Sequence, residues 1–340
     1  MNTRPPIRIK SPTDLLALIP CALGFHPEES IVLVVTAGGA GQLHARLDLP
    51  ADEDEVTEVA RTLLHAAAKA EAHQVALVAY SGEDDWVPRL VDLLALELEL
   101  ADVEVMCAIR ADGERWHSLD CDEACGALEG EPYDLTSHPI TAQSVLDGKV
   151  TYLNRRALVD SLVGTDLEAI DAVGEASDEA MRSFRAAGRH PLGMDNSEGS
   201  RAHMLAEGYW VRERVRRYVR TGEPLDHHEV GRMVVAMVNI EVRDVAWAEM
   251  TRETSTAHVE LWRDVVRRTP LDLLAGPAAL LGFAAWLAGD GALAWCAVER
   301  CQEAEPGYSL AGLVSQALSS ALHPSTWQPI PAEDLPLFAG

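Results

Sequence analysis

A strand–helix–strand pattern lies in residues 74–109, QVALVAYSGEDDWVPRLVDLLALELELADVEVMCAI. Gln74–Tyr80 is a continuous apolar run, which is typical of a strand that is buried on both faces. Apolar residues then recur at helical spacing over Trp86–Leu100, and a second apolar run follows at Val103–Ile109. Two buried strands joined by a helix predict an α/β layered domain.

The flanking residues extend this pattern into a mixed sheet. The further elements predicted are helices at Ser11–Leu23 and Glu53–Ala72, and strands at Ile31–Thr36, Gln42–Leu49 and Glu114–Leu119. The glycine-rich stretch Gly38–Gly41 leads into a strand and not into a helix, so it predicts a hairpin turn and not a phosphate-binding loop. The sequence contains neither a dinucleotide-binding fingerprint nor a Walker loop.

The residues beyond 150 are predicted to be helical, beginning with a helix over Arg155–Val173 and with breakers such as Pro270 between the helices. The expected fold class is therefore α+β/α, an N-terminal α/β layered domain with a mixed sheet followed by an all-helical domain. The expected divisions are residues 1–120 for the sheet domain, 121–150 for an irregular connector, 151–322 for the helical domain and 323–340 for a Pro-rich tail.

The helical domain is expected to have degenerate tetratricopeptide-like character. A large–small pair is followed at repeat-like spacing by small residues and a closing proline, at Leu281-Gly282, Ala294, Val298, Cys301 and Pro306. The aromatic residues of that repeat are missing at Ala278 and Ala285, which is why the character is degenerate. The alternative is an ordinary helical hairpin that turns at Gly289-Asp290.

The charge of the chain restricts its partners. The 340 residues include 54 acidic and 28 basic side chains, and residues 1–150 alone hold 27 acidic and 10 basic ones. The negative electrostatic potential of so acidic a protein repels phosphate backbones, so direct binding of nucleic acid is disfavoured. One basic helix is an exception, and ion pairing with the acidic first domain or with a partner is expected for its arginines. They are Arg212, Arg214, Arg216, Arg217 and Arg220.

The composition predicts a cytoplasmic protein without a membrane span. The longest uncharged stretch, residues 273–289, is shorter than the roughly 20 residues that a span needs, and it contains a proline. The apolar run at residues 15–19 is expected to be a mature helix and not a signal, because Pro20 precedes Cys21 where a small residue would be needed. The six cysteines are therefore expected to be reduced.

Motifs across the chain resemble those of a known family. They are SPTDLLALIPCALGFHPEES at residues 11–30, the Trp116–Cys125 stretch, His138-Pro139, Val242-Arg243-Asp244 and the run GDGALAWCAVERCQEAEPGYSL at residues 289–310. The chain resembles the family of uncharacterised bacterial proteins catalogued as domain of unknown function 4192. The resemblance implies an α/β-plus-helical layout, and it brings neither an activity nor a catalytic residue.

Four potential metal ligands lie in or near the expected connector, at His117, Cys121, Cys125 and His138. The two cysteines would share one helical face, and the two histidines could complete a tetrahedral site. We therefore take a structural zinc ion as the hypothesis for a cofactor. The alternative is that the cysteines are free and pack as small hydrophobic side chains.

Two polar clusters supply the candidate catalytic residues, which are His26, Glu28, Ser30, Asp84 and Asp85. The first cluster lies in the loop before a buried strand, where an exposed histidine and carboxylates could bind a cation or carry out acid–base chemistry. Alternatively, Pro27 and Ser30 only shape the turn. The second cluster follows a buried strand, where its carboxylates could hold Mg²⁺ or cap the next helix.

The absence of a catalytic constellation favours a protein-interaction or regulatory module that acts through the helical domain. Helical arrays offer grooves for a partner helix or an extended peptide, so another protein is the expected partner. Assembly of several copies of this chain into a homo-oligomer is the alternative. The alternative is a metal-dependent hydrolase or nucleotide-processing enzyme with its site at the carboxyl ends of the N-terminal sheet.

Overall fold

The structure is a computed structural model, and it describes residues 9–37, 40–82, 87–119, 130–186 and 198–338. The chain divides into two compact units, Met1–Ala157 and Leu158–Gly340. Residues 130–157, which the sequence analysis assigned to the connector and to the start of the helical domain, belong to the first unit.

The first unit combines a sheet with helices. Its strands are β1 (Ser30–Ala37), β2 (Ala40–Asp48), β3 (Gln74–Tyr80), β4 (Glu104–Ala111), β5 (Arg115–Ser118) and β6 (Glu131–Pro132). Its helices are α1 (Pro12–Leu23), α2 (Glu53–Lys69), α3 (Val87–Leu100) and α4 (Pro139–Leu146), and α5 (Arg155–Asp160) crosses the division between the units. Strand β6 and helix α4 lie where the sequence predicted an irregular connector.

The described strands form one sheet in the order β2-β1-β3-β4-β5-β6. Strand β1 is antiparallel to both of its neighbours, whereas β3 and β4 are parallel. The mixed sheet predicted from the sequence is thus confirmed. The start of β1 lies beside the ends of β3 and β4, because Ser30 is paired with Tyr80 and Tyr80 with Ala111.

Both faces of the sheet are buried, as the continuous apolar strands predict. On one face, alternate residues of β1 and β3 form a core with α2 and α3, in which Leu63, Leu77 and Leu90 are fully buried. The intervening residues Val32 and Val78 point to the opposite face and are also fully buried.

Helix α1 precedes β1 in the chain, and residues next to its two ends determine where it begins and where it ends. Ser11 and Asp14 form a reciprocal capping box at the first turn, and Pro12 occupies the first helical position. Gly24 ends the helix with φ of 74°, a left-handed conformation that glycine adopts at little cost. The helix predicted at Ser11–Leu23 is thus confirmed.

The second unit is helical, as predicted. Its helices are α6 (Leu167–Ala186), α7 (Glu198–Thr221), α8 (His227–Ala236), α9 (Ile240–Ala248), α10 (Ser255–Arg268), α11 (Ala275–Leu287), α12 (Gly291–Ala304) and α13 (Ser309–Ser319). Helix α11 is buried along its whole length. A Cβ atom on Gly282 would lie 3.4 Å from Ala294 and Val298, so α11 and α12 approach closely there. The tetratricopeptide-like character stays a prediction.

One helix boundary was predicted wrongly. The sequence suggested a helix over Arg155–Val173, but the chain leaves α5 at Asp160 and re-enters a helix at Leu167. A Cβ atom on Gly164 would lie 1.8 Å from the Arg267 carbonyl oxygen, so tertiary packing needs a glycine there. Asp166 then accepts a hydrogen bond from the Ala169 amide and caps α6.

The Pro-rich tail packs against the helical unit. The Trp327 ring lies 5.3 Å from that of Trp247 and 4.8 Å from that of Phe283, measured between centroids. Its indole N–H donates to the Met250 carbonyl oxygen at 3.2 Å. Leu335 and Leu337 are buried further along the tail. Among the described residues of the chain, no helix combines the length and the apolar character needed to cross a membrane.

Candidate functional site

A cavity of about 500 Å³ lies at the carboxyl ends of β3 and β4, and all of the residues that line it belong to the first unit. Its wall combines the loop after α1, the two strand ends and the segment around Tyr133. Four carboxylates line it, those of Glu28, Glu29, Asp112 and Asp134. Loops at the carboxyl ends of parallel strands commonly form ligand sites in α/β proteins.

Hydrogen bonds of Ser30, which is fully buried, hold the loop between α1 and β1 in place. The Ser30 hydroxyl donates to the Glu28 carbonyl oxygen at 2.5 Å and accepts from the Arg46 guanidinium, also at 2.5 Å. The Ser30 hydroxyl thus satisfies a backbone group of this turn, whereas its candidate catalytic role stays a prediction. Ser30 shapes the loop that carries Glu28 and does not line the cavity.

Glu29 has an unusual backbone conformation at the cavity, with φ of 40°. Its carbonyl oxygen accepts a hydrogen bond from the Leu49 amide at 3.0 Å, which holds this conformation. Its carboxylate Oε2 accepts a hydrogen bond from the Ser81 hydroxyl at 3.3 Å. The loop before β1 is thus linked through a side chain to the turn after β3.

Ser81 is fixed by its backbone as well as by its side chain. Its amide donates to the Ala111 carbonyl oxygen at 3.0 Å, which extends the β3–β4 pairing by one residue. Its own carbonyl oxygen accepts from the Arg110 guanidinium at 3.2 Å, and Arg110 is buried. The hydroxyl that contacts Glu29 therefore belongs to a well-anchored residue.

Asp112 and Asp134 are both held in the ionised form. Burial acts to raise the pKa of Asp112, but hydrogen bonds from the Arg115 and Glu114 amides and from His117 lower it overall. The pKa of the exposed Asp134 is lowered by hydrogen bonds from the Thr136 hydroxyl and amide. Both side chains thus keep a negative charge at the cavity.

Two tyrosines contribute rings and hydroxyls to the same wall. Burial, together with the neighbouring Tyr133, raises the pKa of Tyr80 well above its ordinary value. Burial and the Asp112 charge raise the pKa of Tyr133, although a hydrogen bond from Gly113 acts in the opposite direction. Tyr80 is only 8% exposed, and its hydroxyl has no hydrogen-bond partner among the described residues.

The structure brings part of the two predicted clusters together. His26 and Glu28, from the loop before β1, line the same cavity as Ser81 and Gly82, which follow β3. Asp84 and Asp85 come shortly after Gly82 in the chain, but they lie outside the described residues. The catalytic roles suggested for these residues stay predictions.

The zinc hypothesis also stays a prediction, because Cys121 and Cys125 lie outside the described residues. His117 is in β5, and its Nε2 lies 3.4 Å from Asp112 Oδ2. His138 caps α4 through Nδ1, and its Nε2 lies 3.2 Å from Asp14 Oδ1. Within the described ranges there is no group of three or more potential metal ligands.

Four residues of the cavity wall were not predicted from the sequence, namely Tyr80, Asp112, Tyr133 and Asp134. The signal for Asp112 was available, because Asp112-Gly113 follows a buried strand in the same way as Ser81-Gly82. No sequence signal pointed to Tyr133 and Asp134, which lie in the segment predicted to be irregular. Strand β6 brings them to this end of the sheet, and the Tyr133 amide donates to the Glu114 carbonyl oxygen.

The arginine-rich helix α7 pairs with carboxylates of its own unit. Glu249 accepts from Arg212 and Arg216, at 2.8 and 2.6 Å. Glu229 accepts from Arg217 at 2.6 Å, and Arg214 Nε lies 2.7 Å from its carboxylate in an ion pair. Both glutamates come from neighbouring helical segments, so much of the basic charge on α7 is neutralised locally.

The fold and the cavity define a protein with an α/β unit that carries a candidate ligand site and a helical unit. The chain belongs to the family described as domain of unknown function (DUF4192), whose model matches residues 12–325. The resemblance drawn from the motifs is thereby confirmed. No curated protein and no solved structure gives a significant match to the chain.

Proposed function

We propose that the first unit binds a small molecule in the cavity at the carboxyl ends of β3 and β4. The observation that carries this proposal is the convergence of separate segments on one cavity. The loop at Glu29 and the turn at Ser81 are 52 residues apart in the chain, and a side-chain hydrogen bond joins them at the cavity wall.

The dimensions and the composition of the cavity support this proposal. Ligand pockets commonly have volumes of about 300–1,000 Å³, with apolar walls and a few well-placed polar groups. This cavity falls within that range and combines apolar side chains such as Pro20, Leu135 and Leu153 with carboxylates and hydroxyls. An unusual backbone conformation at its rim, that of Glu29, is a further feature of many functional sites.

Of the two functions expected from the sequence, an enzyme would use this cavity, whereas a protein-interaction module would not need it. A metal-dependent hydrolase or nucleotide-processing enzyme would use the same cavity, with His26 and Glu28 as candidates for proton transfer. Protein interaction through the helical unit is independent of the cavity. Both stay predictions, and the cavity supports ligand binding most directly.

The proposal is tested by exposing the immobilised full-length protein to a metabolite extract and identifying retained compounds by mass spectrometry. Gly82 lines the cavity, and a Cβ atom there would meet nothing within 4 Å, so Gly82→Trp adds an indole without an initial clash. Gly312→Trp, in α13, has the same open surroundings and serves as the control.

A compound retained by the wild type and by Gly312→Trp, but lost with Gly82→Trp, is the expected result. Equal retention by all three proteins, or no retained compound with the wild type, would contradict the proposal.

A further inference from the structure

We infer that the ligand of this cavity is an organic ammonium compound, one that carries a protonated amine on an apolar body. This inference rests on the proposed function and names the chemical class that the cavity would select. Its support comes from the charges around the cavity, from a buried hydroxyl and from the apolar part of the wall.

The charges at the cavity favour a cation. Four carboxylates line it, and the lining residues that the structure describes include neither a lysine nor an arginine. Asp112 and Asp134 are held ionised by the hydrogen bonds described above. The surrounding residues 1–150 also carry a large excess of acidic side chains, which raises the local concentration of cations and repels anions.

The Tyr80 hydroxyl gives independent support for a ligand with a hydrogen-bond donor. Tyr80 lines the cavity and is only 8% exposed, yet no described residue forms a hydrogen bond with its hydroxyl. Buried hydroxyls are normally paired, so this atom needs a partner that the described chain does not supply. Tyr80 stays protonated because burial raises its pKa, and its oxygen can accept a hydrogen bond from an ammonium group.

The rest of the wall favours an organic cation over a hydrated metal ion. The wall includes two aromatic side chains, Tyr80 and Tyr133, and the faces of aromatic rings attract alkylammonium groups. Pro27 and Leu153 add apolar surface that can contact the body of such a ligand. A small hard cation would instead need several oxygen ligands that converge on one point.

Glu29 is the carboxylate best placed to bind the ammonium group. The Ser81 hydroxyl donates to Glu29 Oε2 and thereby orients the side chain. Among the described residues, none donates a hydrogen bond to Glu29 Oε1, so this oxygen is available to a ligand. A charge-assisted hydrogen bond to an oriented carboxylate is stronger than one between neutral groups.

The test compares three probes that share one ring and differ in charge, namely benzylammonium, benzyl alcohol and benzoate, by calorimetric titration of the full-length protein. Benzylammonium is expected to bind at least about tenfold more tightly than benzyl alcohol, and benzoate is expected to bind more weakly than either. A parallel titration with MgCl₂ tests the metal alone.

Variants then link the binding to named groups. Glu29→Gln and Tyr80→Phe are each expected to weaken benzylammonium binding by about tenfold. Glu71→Gln is the matched control, because Glu71 is also an exposed glutamate with positive φ but lies outside the cavity. It is expected to bind like the wild type.

Equal or tighter binding of benzyl alcohol or benzoate would overturn the inference, as would Mg²⁺ binding at this site that excludes benzylammonium. If none of the probes binds, the chemical class of the compound retained from the metabolite extract decides whether the inference holds. An ammonium compound supports the inference, whereas a neutral or anionic one overturns it and leaves the proposed function intact. If Gly82→Trp does not alter retention, the proposed function itself fails.

Discussion

Glu29 shows how a single residue can carry both a structural cost and a candidate function. Its φ of 40° lies in the left-handed region, where a side chain with a Cβ atom is disfavoured by roughly 1–2 kcal/mol. The Leu49 amide and the Ser81 hydroxyl hold it there. A glycine would adopt this conformation more readily but would lack the carboxylate that faces the cavity.

This conformation predicts a difference between two substitutions that remove the same carboxylate. Glu29→Gly should be more stable than Glu29→Ala by about 1 kcal/mol, because only glycine relieves the positive φ. Urea denaturation of the two variants measures the difference. Equal free energies of unfolding would show that the loop relaxes to another conformation when the glutamate is lost.

His258 is a buried histidine whose effect on stability depends on pH. It lies in α10 and is fully buried. Burial lowers its pKa from 6.5 to about 4, although the Glu249 carbonyl oxygen and carboxylate act to raise it. The folded protein therefore holds this imidazole neutral in a pH range where the unfolded chain would protonate it.

The sign of the resulting pH dependence follows from linkage. The unfolded state binds more protons than the native state between about pH 6.5 and pH 4, so the contribution of His258 is fully present above pH 6.5 and is lost as the pH falls to about 4. The loss over this range is about 3 kcal/mol. His258→Gln should flatten this part of the stability profile measured by urea denaturation.

His227→Gln provides the control for that measurement, because His227 is exposed at the start of α8. It should leave the profile as steep as that of the wild type. A profile that keeps its slope in His258→Gln would show that other groups cause the acid sensitivity.

At the scale of elements, α7 is held to its neighbours by shared carboxylates. Glu249, at the end of α9, is largely buried and accepts hydrogen bonds from Arg212 and Arg216. Glu229 has the corresponding role in α8, where it also completes the capping box of Asp226. Arginines of the basic helix are thus paired with carboxylates of their own unit.

Removing one of these carboxylates should leave two arginines without their partner. Glu249→Gln is expected to lower the free energy of unfolding at pH 7.5 by about 1–3 kcal/mol, because hydrogen bonds to charged groups are lost from a largely buried position. Glu213→Gln alters an exposed glutamate of α7 and should change stability by less than about 0.5 kcal/mol. Similar effects of the two substitutions would contradict a stabilising role for the Glu249 pairs.

At the scale of the whole molecule, the dominant feature is a net charge of −26. Self-repulsion among like charges destabilises a compact state, and salt screens it over a distance of about 10 Å at 0.1 M. The local pairs on α7 are short and partly buried, so salt weakens them less than it weakens the long-range repulsion.

The thermal midpoint of unfolding should therefore rise between about 10 and 150 mM NaCl. Differential scanning calorimetry measures this change, and KCl at the same concentrations should give the same rise if screening is the cause. A midpoint that falls with salt would show that attractive pairs outweigh the repulsion.

The sequence alone was sufficient for the layered sheet, the helical second unit and several helix ends. These features depend on local patterns, namely continuous apolar runs, the helix start at Ser11-Pro12 and the glycine that follows Leu23, and they need no knowledge of distant residues. The gap between α5 and α6 could not be predicted, because the need for a glycine at residue 164 arises from the backbone of α10.

The candidate site was only partly accessible to sequence reasoning. The loop at His26 and Glu28 and the turn at Ser81 were each recognisable from their polar residues, and the general position at the carboxyl ends of strands was expected. That the two belong to one cavity was decided by tertiary structure, because the strand order places the start of β1 beside the end of β3. The unpaired hydroxyl of Tyr80 likewise exists only in the folded chain, since burial is a property of the packing around a residue and not of its position in the sequence.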